Sequence, residues 1–188
     1  MMQNNLEKNP QKSVQIKNWP EKIRIFSGAQ LKYLAFISML IDHVNKALIY
    51  PNLDGSAGLQ IISDLFDILG RIAFPLFMFL LVEGYFKTRS RWKYLLYLLG
   101  FGVISEVPFD LFTTSQVFEP NWNNIMFTLA AVLITIWSID TLREKMDRLP
   151  KLLWYLASVV IVAVMCFAAM NLGLDYEHHA ILIGYFMY

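Results

Sequence analysis

Residues 152–170 read LLWYLASVVIVAVMCFAAM, an apolar run with no charged residue. A helix in a soluble core presents a polar stripe to water, and this run has none. About 20 such residues wound as a helix cover the hydrocarbon core of a bilayer, so the run reads as a membrane span. Four further stretches have similar length and character: 31–50, 69–86, 94–112 and 123–139. A sixth begins at Tyr176 and is still apolar at Tyr185, Phe186, Met187 and Tyr188. We therefore expect a C-terminally truncated chain that stops within its last span. Composition agrees, with 56% hydrophobic and 16% charged residues against about 45–50% and about 25% in soluble domains.

These proportions exclude a disordered chain, which lacks apolar residues. A net charge of +1 excludes a DNA-binding domain and an acidic scaffold, and we expect no nucleic-acid partner. Cys166 is the one cysteine and lies in the apolar run, so it forms neither an intramolecular disulfide nor a zinc cage. No metal site is expected.

Residues 1–26 are polar, carry Lys8, Lys12, Lys17, Lys22 and Arg24, and lack the early apolar core of a signal peptide. Trp19, Ile23, Ile25 and Phe26 beside those cations suggest a cytoplasmic segment lying on the membrane surface. Ser27 followed by Gln30 is a capping-box pattern that starts the first helix.

Connecting segments alternate in charge. Lys87, Arg89, Arg91 and Lys93 follow the second stretch, and Arg143, Lys145, Arg148 and Lys151 follow the fourth. The segments after the first, third and fifth hold no cation, only acids such as Asp54, Asp64, Asp67, Glu119, Asp175 and Glu177. Lys and Arg stay on the cytoplasmic side, which predicts a cytoplasmic N-terminus. The fold expected is an all-α, multi-pass helical bundle in a bacterial inner membrane, with residues 27–188 as its membrane domain.

Charges inside spans are costly, about 2.5–3.5 kcal/mol each at the helix centre, and they usually face an interior cavity and pair. Lys32, Asp42, His43 and Lys46 lie on the first span, Arg71 and Glu83 on the second, Glu106 and Asp110 on the third, Asn124 and Thr128 on the fourth. Asp42, His43, Arg71, Glu106, Asp110 and Asn124 fall at similar depth in the outer half, and we expect them to converge. Arg71 should pair with Glu106 or, failing that, Asp110.

Lys32 and His43 are eleven residues apart, so they share a helix face about 16 Å apart along the axis. Lys46 falls on the same side. A cation at the cytoplasmic mouth in line with a deep imidazole suits a long ligand with an anionic head. Acyl-coenzyme A fits, with its phosphates at Lys32 and its thioester at His43, which could take a proton from an acceptor. The plainer readings are a snorkelling Lys32, a structural Arg71 ion pair, and Asn124 and Thr128 as interhelical hydrogen-bonding groups. His178 and His179 read as loop residues. A proton-coupled transporter using Asp42, His43, Arg71 and Glu106 is the rival class, though no internal repeat is visible.

Several motifs resemble the TraX family of membrane proteins. They are Leu31-Lys32-Tyr33 through Ile41-Asp42-His43, Gly70-Arg71-Ile72-Ala73-Phe74-Pro75-Leu76-Phe77 continuing to Glu83-Gly84, Ser105-Glu106-Val107-Pro108-Phe109-Asp110-Leu111, Asn124 through Leu129, and Asp175-Tyr176. The resemblance covers residues 27–188. That family is named for a conjugative pilin acetylase and is similar to wider membrane acyltransferases, in which a basic residue, ten intervening residues and a histidine mark the active helix. It implies transfer of an acetyl or other short acyl group from acetyl-coenzyme A or another acyl-coenzyme A, bound from the cytoplasmic side. The acceptor would be a pilin N-terminus or a cell-surface glycan on the outer side. It implies His43 as general base among Asp42, Arg71, Glu106 and Asp110, with Lys32, Lys46, Asn124 and Thr128 toward the co-substrate. The chain departs from the family after Asp175-Tyr176, where a small residue, often Gly, is usual and Glu177-His178-His179 stands here.

Overall fold

The computed structural model describes residues 26–146 and 150–188. The expected surface segment, 1–25, lies outside the described residues. Seven α-helices account for most of the rest: α1 Gly28–Val44, α2 Ala57–Gly70, α3 Ala73–Lys87, α4 Arg91–Thr113, α5 Ile125–Lys145, α6 Lys151–Asn171 and α7 Glu177–Met187. No β-strand occurs among the described residues; the all-α membrane class holds.

Local chemistry sets the boundaries. Ser27 accepts from the Gln30 amide while Gln30 reaches back to the Ser27 amide, the expected capping box. Ser90 and Asn124 cap α4 and α5 more simply, each side chain accepting from one backbone amide, of Lys93 and Met126. Beyond Val44 the first helix widens into a π-turn over Asn45–Ile49 and tightens into a 3₁₀ turn over Tyr50–Asn52.

The second span is longer than its apolar stretch predicts. The structure runs α2 and α3 almost end to end from Ala57 to Lys87, 31 residues, or about 46 Å. Residues 57–68, expected in a loop because of Asp64 and Asp67, are helical. Those carboxylates are accommodated along the helix: Gln60 donates to Asp64 at 3.0 Å and Arg71 donates to Asp67 at 3.0 Å. Paired at i,i+4, they support the helix instead of ending it.

The chain weaves up and down between two ends. At the cation-rich end, the close of α3, the start of α4 and the close of α5 meet on Asp140. It accepts from the Tyr85 hydroxyl at 2.7 Å, the Arg91 guanidinium at 2.7 Å and the Tyr188 hydroxyl at 3.1 Å. The Arg91 guanidinium also lies over the Tyr85 ring, 4.6 Å from its centroid. At the acid-rich end, the α4–α5 and α6–α7 connections are stitched by an isolated parallel bridge between Asn123 and Leu174.

Helix α5 is the most enclosed. Leu129, Val132, Leu133, Ile136 and Ile139 are buried against α3 (Met78, Leu81), α6 (Val162) and α7 (Ile181). α4 and α6 leave large apolar side chains such as Phe101, Ile104, Val160 and Phe167 exposed, as spans facing lipid do. Four helical segments are long and apolar enough to cross a membrane. α1 with its π and 3₁₀ extension, and α7, are the shorter members.

Candidate active site

The acid-rich end is built around α1. Its last α-helical turn presents Asp42 and His43, and the π-turn follows directly. π-turns inside helices are frequent at functional sites because they re-aim side chains. Lys46 on that turn donates to Asp42 at 2.7 Å. The His43 Nδ1 lies 2.8 Å from the Met39 carbonyl oxygen one turn back. A carbonyl only accepts, so Nδ1 carries the proton and Nε2 is the ring's basic nitrogen. The imidazole is half-buried and sits 5.2 Å, centroid to centroid, from the Phe112 ring of α4.

The break between α2 and α3 makes room for this arrangement. Ser38 on α1 donates to the carbonyls of Leu69 and Gly70, at 2.5 and 3.3 Å, satisfying oxygens next to the break. Gly70 lies so close to α1 that a Cβ there would meet the Cβ of Asp42 at 2.6 Å. Gly70→Ala is expected to push Asp42 and the π-turn away, costing about 1–2 kcal/mol of stability. Ion-pair geometry at Asp42 should loosen with it; detergent-based thermal unfolding that matches wild type would refute this packing.

A second wall comes from the α6–α7 connection, which the sequence reading left out of the site. Asp175 lies within electrostatic reach of Lys46, Asp42 and His43. Burial pushes its carboxyl up, above the ordinary carboxylate range; the Tyr176 amide, Lys46 and His43 pull the other way. Tyr176 stacks on Phe74 of α3 at 3.9 Å and lies within reach of Asp42 and Arg71. Thr128 of α5 donates to the Asp175 carbonyl at 2.8 Å. Gly173, at φ 58°, passes so close to Asn121 that a Cβ there would meet its carbonyl oxygen at 1.9 Å. The connection therefore requires glycine at that point.

Tyr176 and Glu177 both adopt left-handed backbone, at φ 60° and 45°. For residues with a Cβ this costs about 1–2 kcal/mol each. Strain of this kind collects at functional sites, and here it directly follows Asp175. Glu177→Gly should relieve it, raising stability by about 1 kcal/mol in thermal unfolding. No gain would mean that the Glu177 side chain offsets its own strain.

The expected convergence is partly realised. Asp42, His43, Lys46 and Asp175 come together, with Arg71 at their edge. The Arg71 ion pair with Glu106 or Asp110 does not form: Arg71 binds Asp67 on its own helix and its side chain is 80% exposed. The helix extension to Ala57 supplies that nearer carboxylate. Glu106 instead accepts from the Asn124 amide group. Asp110, fully buried, accepts from the Glu119 amide at 2.9 Å and so folds the α4–α5 connection onto α4. Asn124 also donates to the Gly102 carbonyl at 2.9 Å. Asn124 and Thr128 are thus buried groups that join helices. Lys32 is exposed near the opposite end of α1. No cluster of metal-ligating side chains occurs among the described residues.

A family model described as TraX protein matches residues 27–188. The chain belongs to the TraX family. A relative in that setting is the probable fimbrial assembly protein FimC, serogroup H1, of Dichelobacter nodosus, 37% identical over 118 residues. That match takes in 59% of this chain and 46% of the relative, so the chain spans less than half the relative's length. No solved structure matches the chain. Within the TraX family frame, the two helix-borne motifs around His43 and Gly70-Arg71 meet at the α1–α2–α3 junction. The Asp175-Tyr176 pair closes over them from the α6–α7 connection.

Proposed function

We propose that this TraX-family chain is a membrane acyltransferase that carries an acetyl or other short acyl group from acyl-coenzyme A to an acceptor outside the bacterial inner membrane. The observation that carries the reading is the state of His43: Nδ1 is engaged by the Met39 carbonyl at 2.8 Å, which leaves Nε2 as a base, and Asp175 and Asp42 stand within reach. Nε2 takes the proton from the acceptor's N–H or O–H group. The acceptor atom attacks the thioester carbonyl carbon, the C–S bond breaks, and the departing thiolate takes the proton back from the imidazolium.

The co-substrate enters from the cation-rich end, which the charge bias makes cytoplasmic. Lys32 meets the phosphates there, and the pantetheine arm runs along α1 toward His43. The similarity to a fimbrial assembly protein supports a pilus subunit as acceptor, with a surface glycan as the other class.

Purified full-length protein incubated with labelled acetyl-coenzyme A and either acceptor class tests this directly. Label should move to one acceptor in a His43-dependent manner. Absence of any coenzyme A binding by the wild-type protein would end the acyltransferase reading. Pump-like proton flux without coenzyme binding would put a transporter in its place.

A further inference from the structure

A groove of about 300 Å³ lies at the opposite end of the bundle from His43 and is lined by Trp137, Ser138, Thr141, Leu142, Lys145 and Ile161. We infer that it holds one anionic phospholipid, with the phosphate at Lys145 and an acyl chain lying over Trp137 and Ile161.

The placement of the lining carries the argument. Ser138, Thr141, Leu142 and Lys145 recur at helical spacing and form one stripe of α5. The stripe is turned away from the core face of Val132, Ile136 and Ile139, which is buried. Ser138 and Lys145 are exposed and Thr141 and Leu142 half-buried. The groove thus opens sideways between α5 and α6, toward the bilayer, and an occupant reaches it from the lipid.

Chemistry along the groove follows the layers of a lipid. Lys145 stands at the end of α5, eight residues beyond Trp137, which is about 12 Å along the axis. The ammonium is therefore at headgroup level and Trp137 at the acyl boundary, where tryptophan concentrates. Between them, Thr141 donates to the Trp137 carbonyl at 2.8 Å, which leaves its oxygen as an acceptor. The Ser138 hydroxyl makes no hydrogen bond among the described residues and can donate to an ester carbonyl. Trp92 of α4 packs edge-on against Trp137 at 5.7 Å and holds that ring upright as a wall. A cation over a hydroxyl pair over an aromatic wall complements an anionic glycerophospholipid. A zwitterionic lipid would bring a second cation to Lys145.

Native mass spectrometry of the full chain in detergent, titrated with phosphatidylglycerol, phosphatidylcholine or soluble glycerol 3-phosphate, tests the assignment. Wild type should retain phosphatidylglycerol several-fold better than phosphatidylcholine and should not retain glycerol 3-phosphate. Lys145→Gln should lower that preference about fivefold, the effect of one cation near an anionic headgroup. Ile161→Trp, which fills the groove and leaves the charge, should exclude both lipids. Lys93→Gln, an exposed cation of the same end outside the groove, should change nothing. Equal retention of the two lipids, retention of neither, or equal losses from Lys93→Gln and Lys145→Gln would overturn the proposal. So would binding of glycerol 3-phosphate as tight as that of the lipid.

Discussion

Replacing His43 by alanine is expected to lower acyl transfer by about 10²–10⁴-fold, the usual cost of losing a general base, while coenzyme A binding survives. On the proposed mechanism the two should separate, because His43 would meet the acceptor proton and not the nucleotide. The imidazole lies on the last α-helical turn of α1 with Nδ1 tied to Met39, and its removal leaves α1 intact. Lys32→Ala should behave in the opposite sense. It removes an exposed charge near the other end of α1, so coenzyme binding should weaken, and more at low salt, where screening extends to about 30 Å. The rate at saturating coenzyme should change little. Lys32→Arg should be mild, because a phosphate accepts either cation. Turnover by His43→Ala at the wild-type rate would remove His43 from the chemistry. A Lys32 effect on rate alone would remove the coenzyme track along α1.

The membrane class and the up-and-down weave were legible because each rests on a one-dimensional signal, apolar length for the one and charge alternation for the other. The partner of Arg71 was not. Pairing it with Glu106 assumed that a charge inside a span must find its counterion on another helix. The nearer carboxylate, Asp67, was hidden because two aspartates in twelve residues read as a loop. They are instead the polar stripe of α2, satisfied at i,i+4 by Gln60 and Arg71. A helical-spacing test on residues 57–71 would have found that stripe. Asp175 was visible in sequence as a motif, but its approach to His43 depends on a left-handed corner at Tyr176 and Glu177 and on the Gly173 contact with Asn121. Neither has a periodic signature. Glu177 stands at φ 45°, where only glycine would be free of strain.

Asp140→Ala is expected to be the most destabilising single change at the cation-rich end, by about 2–3 kcal/mol. Asp140 is the shared acceptor for Tyr85 of α3, Arg91 of α4 and Tyr188 beyond α7. The truncation therefore orphans three donors at once, and Tyr85 is only 1% exposed. Breaking a fully buried ion pair costs about 3–5 kcal/mol; the Arg91 side chain is 34% exposed, so water recovers part of that. The loss concerns the bundle's closure and not the His43 cluster, which sits at the opposite end of the bundle. Asp140→Asn should cost less, because the amide oxygen still accepts from one of the hydroxyls. Tyr85→Phe should also cost less, as it removes one donor without orphaning the others. Thermal unfolding in a mild detergent, read by helical circular dichroism, checks the order Asp140→Ala, then Asp140→Asn, then Tyr85→Phe. If all three unfold at the wild-type temperature, the cluster is a surface arrangement and the four helix ends are held by packing alone.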